Sequence, residues 1–368
     1  MKIVFLNSRD HWRNGWLTSP EELQIVVNIL EKAGIETAAT ELETVDQLER
    51  VLDGILPDTL LWPNAYFVNA GNGRIVWLNE YIEARGLPFI GSNARTLRTV
   101  LEKDACQAVL RENGLPIPDF TVITRENLPD MEALITERIG SFPVVLKPTA
   151  ESGSVGVCLA HDRDQAREGA AGILDEFPHS NVIIEEFLPS DDITCGFVQL
   201  GDQVMLLPTA YLVRTAPGKS NILSRRERLR HWDDQDKVMP HIADADIQDQ
   251  LKDYIPQIAA ALEIKGITRI DGRLDKNGTL RFFDVNGLPA LCFPEAVMVK
   301  QCFSCFPDHP KELVFEALIH TIVHHALLLS GMPVPEAIER LNLFMLESNQ
   351  VIVGEAVENP TAQASFEC

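Results

Sequence analysis

The feature that most constrains this chain is an Asn277-Gly278 pair set between two alternating runs inside residues 267–286. Asn-Gly in that position signals a hairpin, because a two-residue type I′ turn requires positive φ at both central residues. With Lys276 facing Thr279 across the loop, successive pairs set Asp271 opposite Asp284 and Arg269 opposite Asn286. Side-chain alternation then puts all four on one face. Facing carboxylates repel, so something positive belongs between them. Two carboxylates and an amide oxygen are hard donors of the kind that hold Mg²⁺ together with phosphate oxygens and water. The same residues allow a second reading, in which Arg269 or Arg273 neutralises the acids as an ion-pair cluster on an exposed strand.

Two further segments carry chemistry. An apolar strand near 142–148 ends in Lys147-Pro148 and runs into Glu151-Ser152-Gly153-Ser154-Val155-Gly156. Small residues there let backbone amides approach phosphates beside an ammonium, although a plain flexible loop has the same composition. The segment lacks the Gly-Lys-Ser/Thr ending of a P-loop and the three-glycine dinucleotide fingerprint. Further on, Val182-Ile183-Ile184-Glu185-Glu186-Phe187-Leu188 reads as a strand. If both its faces are covered, one acid points inward and needs a donor. An adenine amino group, a ribose hydroxyl or a structural arginine would each serve.

At 368 residues the chain exceeds one small core and suits two or three packed lobes. Strand-like and helix-like runs alternate through the first part of the chain, the pattern of an α/β protein. Ser19-Pro20-Glu21-Glu22 supplies an N-cap, a proline at the first helical position and a capping-box glutamate,, and Thr44 repeats the start signal. We expect a strand at 59–62, a helix over 75–85, a strand at 87–90 and one long helix over 94–113. Leu-Pro-Ile-Pro at 115–118 cannot continue that helix. The expected divisions are 1–93, 94–190, 191–345 and a tail 346–368, whose composition from 355 onward favours no regular structure. Residues 311–329 suit a buried helix, and no apolar run approaches the roughly 20 residues that span a bilayer.

Composition removes several functions. A formal charge of −22 repels a phosphate backbone, so nucleic acid is not an expected partner. The basic run Arg225, Arg226, Arg228, Arg230 is either a solvated loop or a mobile cover over an anionic ligand. Seven cysteines at irregular spacings argue for a reducing compartment rather than a disulfide framework. The start MKIVFLNSRD reads as a first strand rather than a signal peptide, and a cytoplasmic location is the expectation. His320, His324 and His325 lack the acidic partner of a zinc motif and read as packing residues; Cys302 and Cys305 form a lone CxxC.

Taken in order, these segments resemble an ATP-grasp enzyme, and specifically D-alanine:D-alanine ligase. The similarity runs over 86–294. It is carried by Gly-Leu-Pro-Phe-Ile-Gly-Ser at 86–92, Glu102-Lys103-Asp104, Gly-Leu-Pro-Ile-Pro at 114–118 and the Lys147 strand with its loop. Glu185-Glu186-Phe187-Leu188, Asp192-Ile193-Thr194, Arg269-Ile270-Asp271 and Asp284-Val285-Asn286 continue it. The resemblance implies a three-lobed ATP-grasp fold, α+β in its ATP-binding part, preceded by an N-terminal preATP-grasp α/β domain. It implies that Lys103 and Lys147 contact the ATP phosphates, that Glu185, Glu186 and Leu188 hold adenine, and that Asp192 meets the ribose. Ser152, Ser154 and Gly156 would belong to a loop closing over the γ-phosphate. Asp271, Asp284 and Asn286 would bind two Mg²⁺ ions, with Mn²⁺ the alternative, while Arg269, Gly153 and Ser154 would stand at the reacting centre.

The implied reaction phosphorylates a substrate carboxylate and lets an amine displace the phosphate, releasing ADP; a homodimer is also implied. Four departures bear on the substrate. Gly153 stands where the ligase has a substrate-orienting serine, and the Glu-x-x-Val-Ser type signature is absent, although Glu21 and Glu22 lie nearby. Pro63-Asn64-Ala65-Tyr66 replaces a His-Gly segment, and Pro289-Ala290 replaces Pro-Gly. They point to an amino acid other than D-alanine, joined to an amine that is free or carried on a protein. An ATP-grasp kinase and a non-catalytic nucleotide-binding regulator are the alternatives; Arg269 and three metal-ligand candidates argue against the regulator.

Overall fold

The computed structural model describes residues 1–11, 15–71, 73–151, 153–213 and 237–357. Ser152, the basic run at 225–230 and the chain beyond 357 lie outside the described residues. The chain opens with β1 (Lys2–Ser8), α1 (Pro20–Lys32), β2 (Glu36–Leu42), α2 (Val45–Asp53) and β3 (Thr59–Pro63). β1 lies between β2 and β3 and all three are parallel, as strands joined through helices must be. Ser19 Oγ accepts from the Glu22 amide at 3.3 Å. Glu22 turns its carboxylate to the Thr18 amide and hydroxyl at 2.7 and 2.9 Å, one residue short of the capping-box partner.

The helix expected over 75–85 is shorter. A hairpin of β4 (Phe67–Gly71) and β5 (Arg74–Trp77) precedes α3 (Leu78–Glu83). Ile75, Val76 and Trp77 suit a pleated surface, and they pair with Asn69, Val68 and Phe67. The strand expected at 87–90 reduces to one parallel bridge, Leu61 to Phe89. The single helix over 94–113 divides into α4 (Ala94–Leu101) and α5 (Lys103–Glu112). Glu102 takes φ −88° and ψ 101°, and the Lys103 amide donates to Thr149 O at 2.9 Å. A tertiary hydrogen bond thus replaces a helical one.

A second sheet follows from β6 (Phe120–Ile123), α6 (Met131–Arg138), β7 (Val144–Pro148), β8 (Cys158–Ala160), α7 (Arg163–Glu176) and β9 (Val182–Glu186). Its order is β6-β9-β7-β8, antiparallel throughout. Ile135, Ala170 and Ile173 from the helices share a core cluster with Val144 and Ile184.

The last part comprises β10 (Asp192–Leu200), β11 (Gln203–Val213), β12 (Lys237–Val238), α8 (Ala245–Ala261), β13 (Ile267–Leu274) and β14 (Leu280–Asn286). α9 (Val297–Cys305), α10 (Lys311–Leu329), α11 (Glu336–Arg340) and β15 (Ile352–Glu355) complete it. The sheet runs β12-β11-β10-β13-β14, with β15 added to β11. The stretch 346–355, expected as tail, therefore ends in a paired strand. α10 has 19 residues and a mean hydropathy of 1.4, enough by length and composition to cross a membrane, contrary to the expectation of no such run. In this fold 67% of that apolar stretch is buried. Leu318, Ile322 and Leu327 share a core with Val26 and Leu30 of α1 and Val198 of β10, and each such side chain contributes roughly 1.5–3 kcal/mol.

Candidate active site

β13 and β14 pair Arg269 with Asn286, Ile270 with Val285 and Asp271 with Asp284, the register counted from the sequence. The turn assumed in that count does not form. The Asp275 amide donates to Thr279 O at 2.8 Å and the Gly278 amide to Asp275 O at 3.1 Å. Within the turn only Gly278 has positive φ, +80°. Asp275 Oδ1 accepts from the Asn277 and Thr279 amides at 2.8 and 3.0 Å. This wider turn pairs Leu274 with Leu280, and by itself it would shift the register by one and send Asp284 to the other face. A β-bulge restores it: Gly272 pairs with Phe282, Asp271 with Asp284, and Phe283 is the extra residue,. Phe282 goes into the core while Phe283 and Asp284 both line a cleft.

The positive group between the acids is Arg269. Its Nε and Nη2 donate to Asp271 Oδ1 and Oδ2, both at 3.0 Å, the bidentate geometry that makes such pairs strong. Thr194 Oγ1 donates to Asp271 Oδ1 at 2.6 Å. Burial opposes the Arg269 charge, but the Asp271 carboxylate outweighs it and the guanidinium pKa is raised. The ion-pair reading therefore holds for Asp271, although both residues are buried in a cleft wall rather than on an exposed strand. Arg273 goes elsewhere, to Asp192 Oδ1 at 2.6 Å and Leu188 O at 3.2 Å.

Asp284 has no ion pair among the described residues; it accepts a long hydrogen bond, 3.4 Å, from Asn286 Nδ2. The same amide reaches Asp271 Oδ2 at 3.5 Å. A carboxylate outside any contact ion pair among the described residues, beside an amide and a second carboxylate, is a set of hard oxygen donors that fits Mg²⁺. Asp271 would join that set by sharing an oxygen with Arg269.

Glu185 is the inward acid, 3% exposed. Its donors are Lys147 Nζ on Oε2 and Gln107 Nε2 on Oε1, each at 2.5 Å, rather than an arginine. Glu186 accepts from the Asp119 amide at 3.1 Å. Lys147 Nζ also stands 4.3 Å from the centroid of the Phe283 ring, within cation–π range. Lys103 Nζ donates to Glu151 O. Burial pushes the Lys103 ammonium below the ordinary lysine range; Asp284 and Glu185 oppose that shift and Lys147 adds to it. Gly153 and Ser154 turn the loop back with φ +69° and +59°, whereas Gly156 packs so close to Pro148 that a Cβ would sit 2.7 Å from its Cγ.

One cleft of about 660 Å³ brings together Lys103, Lys147, Gly153, Ser154, Glu185, Glu186, Leu188 and Asp192 with Arg269, Asp271, Asp284 and Asn286. Gly156 is not among its lining residues. Sequence reasoning missed the roles of Gln107, Thr194 and Phe283, which hold or flank these groups, and it missed a whole wall. His11, Gly15, Tyr66, Phe67 and Ile75 of the first lobe line the same cleft. Asn64 shapes that wall: its amide donates to Asn7 Oδ1 at 2.9 Å and Leu17 O at 2.8 Å, and accepts from Leu17 N at 2.8 Å. The backbone at Gly15 comes so near that a Cβ would lie 2.1 Å from Asn64 O. Tyr66 Oη accepts from Leu288 N at 3.1 Å. Neither Glu21 nor Glu22 lines the cleft. A usable signal existed: apolar runs on either side of Gly71 and Gly73 have a hairpin's pattern.

His320, His324, His325, Cys302 and Cys305 are not among the residues that line this cleft. His320 Nδ1 lies 2.9 Å from Leu341 O, and His325 Nδ1 accepts from Gly201 N at 3.2 Å. Among the described residues no three His, Cys, Asp or Glu side chains form a metal cluster. Burial pushes the Cys302 and Cys305 thiols up, the opposite of a reactive thiolate.

A profile of the D-ala D-ala ligase C-terminus family matches residues 109–324. The chain is 24% identical over 321 residues to the D-alanine–D-alanine ligase of Coprothermobacter proteolyticus, covering 82% of this chain and 97% of that one. Its fold is similar to that of the Bacillus anthracis D-alanine–D-alanine ligase complexed with ATP (TM-score 0.61, 19% identity, 90% of this chain and 99% of that one). It is also similar to the VanG D-Ala:D-Ser ligase from Enterococcus faecalis (TM-score 0.60, 15% identity, 87% and 99%).

Proposed function

Because this chain belongs to the D-ala D-ala ligase family, with the ATP-grasp fold, we propose that it joins an amino acid other than D-alanine to an amine in an ATP-dependent, ADP-forming reaction. The observation that carries this reading is the convergence of Arg269, Asp271, Asp284 and Asn286 with Lys103 and Lys147 in one cleft. Phosphoryl transfer asks a protein mainly for positioning and charge neutralisation, and this set supplies both. Lys103 and Lys147 bind the phosphates, the 153–157 loop covers them, and Phe283 with Leu188 offers apolar surface to the base. Asp284, Asn286 and Asp271 would hold the divalent cations, two in this proposal; a bound cation neutralises charge on the phosphate oxygens.

In the first step a substrate carboxylate oxygen attacks the γ-phosphorus, the bond to the bridging oxygen breaks, and ADP leaves with that electron pair. In the second an amine nitrogen attacks the acyl carbon, the bond from that carbon to the phosphate oxygen breaks, inorganic phosphate departs and the nitrogen loses a proton. Arg269, fixed by Asp271, keeps a guanidinium beside the oxygens that gain charge.

A substrate other than D-alanine is supported by the wall of the first lobe. Asn64, in place of the family's His-Gly segment, uses its amide on Leu17 and Asn7, and Gly153 offers no side chain where the family has a serine. All six cysteines among the described residues are free, in keeping with a cytoplasmic setting, and the family resemblance extends to a homodimer. The test is ADP release from ATP in the presence of paired acids and amines, with the full chain and Mg²⁺. Release that needs both partners supports the ligase; release with an acid or alcohol alone, and no amide product, would make it a kinase.

A further inference from the structure

The first-lobe wall names the substrate more closely. It reaches the cleft at the reacting end, since Tyr66 Oη binds Leu288 N, two residues beyond Asn286. Its surface is a braced aromatic platform. Phe67 meets Trp77 edge-on with centroids 4.7 Å apart, Tyr66 meets Trp77 at 6.1 Å, and His11 meets Phe67 at 5.8 Å. Phe67 pairs with Trp77 and Asn69 with Ile75 across the hairpin, so these four share one face. Asn69 Nδ2 in turn donates to Asp10 Oδ2 at 2.5 Å, tying the loop after β1 to the hairpin.

Two features of this wall are not matched by the protein's own described residues. Ile75 lines the cleft and is 50% exposed, apolar surface of the kind binding sites present to ligands. His11 Nε2 is buried and has no hydrogen-bond partner among the described residues. Across the cleft, Glu295 is already paired with Lys300 Nζ at 2.7 Å. A methyl group would leave this platform uncovered.

We infer that the acid activated by this enzyme is an amino acid with a bulky apolar side chain, aromatic or branched, seated on Phe67 and Ile75, with His11 giving one polar contact. The inference rests on the ligase reading, so the experiment must separate the two. Hydroxylamine in place of the amine reports the acid alone: its nitrogen attacks the acyl phosphate carbon, the bond to the phosphate oxygen breaks, phosphate leaves, the nitrogen loses a proton, and a hydroxamate forms.

With ATP, Mg²⁺ and the full chain, leucine, phenylalanine and valine in both enantiomeric series are compared with alanine, serine and glutamate. Expected is a kcat/KM for hydroxamate at least about tenfold higher for one of the bulky acids, the discrimination that a methylene or two gives in an apolar pocket. Phe67→Ala and Ile75→Ser each raise KM for that acid by about tenfold with kcat changed less than about twofold, the pattern of lost uniform binding. Phe67→Leu, which keeps the hairpin packed, stays within about threefold. Faster hydroxamate from alanine or a polar acid overturns the subsite and leaves the ligase standing. If none of these acids yields ADP and hydroxamate, the ligase reading is overturned, and this inference with it.

Discussion

Two hairpins line the same cleft and are built on opposite plans. β13–β14 lies at one side of the large sheet and carries Arg269, Asp271, Asp284 and Asn286. β4–β5 is a two-stranded sheet by itself, a unit too small to stand alone in water. It is held by Val68 in the core and by ring contacts of Phe67 and Trp77, and the described residues it sets in the cleft lining, Phe67 and Ile75, are apolar. Charged groups cannot be gathered in a buried place without a reason, so their register announces chemistry. Aromatic groups pass for ordinary core wherever they sit, so a specificity wall made of them stays silent.

The division of labour can be broken most forcefully at Arg269. Arg269→Ala leaves the Asp271 carboxylate buried without its cation, and we expect about 3–5 kcal/mol of lost stability in denaturant titrations, together with lost turnover. Wild-type stability in that variant would mean that the pair does not hold the hairpin. Asp284→Ala sharpens the point from the other side. No ion pair among the described residues depends on Asp284, so the fold should survive while kcat falls about a thousandfold, about 4 kcal/mol in the barrier; retained turnover would remove the metal assignment.

Acid should act on the side of the charged hairpin. Burial, with Lys265 and His324 adding, pushes His325 down to about 4 from an ordinary 6.5. The folded chain therefore refuses a proton that the unfolded chain accepts. The contribution is intact above pH 6.5 and is lost as pH falls toward 4, by up to about 3 kcal/mol. His320 and His324 are lowered in the same direction. Because His325 accepts from Gly201 in the β10–β11 turn, amide exchange at pH 4.5 should rise first in that turn and α10, before the β4–β5 hairpin. His325→Gln should flatten the acid limb of the stability curve; an unchanged limb would count against this account. The smallest effect is expected at Tyr66→Phe. Leu288 N loses its acceptor, at about 1 kcal/mol, read as a severalfold rise in KM for the acid with little change in kcat.

The sequence made the charged hairpin legible for a reason that was partly wrong. The Asn277-Gly278 pair implies a two-residue turn and an unbroken ladder, whereas a wider turn and a bulge at Phe283 together return the same pairing. α4 and α5 were merged because no proline or glycine marks Glu102; the break is enforced by Thr149, about fifty positions away, whose carbonyl takes the Lys103 amide. The donor for Glu185 escaped notice because Lys147 and Gln107 belong to other elements, and strand pairing between β7 and β9 cannot be counted without a tight turn to start from. Capped helices such as α1 and α2 were readable because Ser19 and Thr44 act within three residues.

The bulge in β14 has a consequence for how this cleft can change. A regular strand shows its cavity every second residue, so altering the cavity usually means altering a position whose neighbours are both committed to the core. Here Phe283 and Asp284 enter the cleft as adjacent residues while Phe282 stays behind in the core. Position 283 is thereby uncoupled from the hydrophobic interior, a seat where side chains of different size or polarity can be tried in the cleft with the opposed carboxylates left in place.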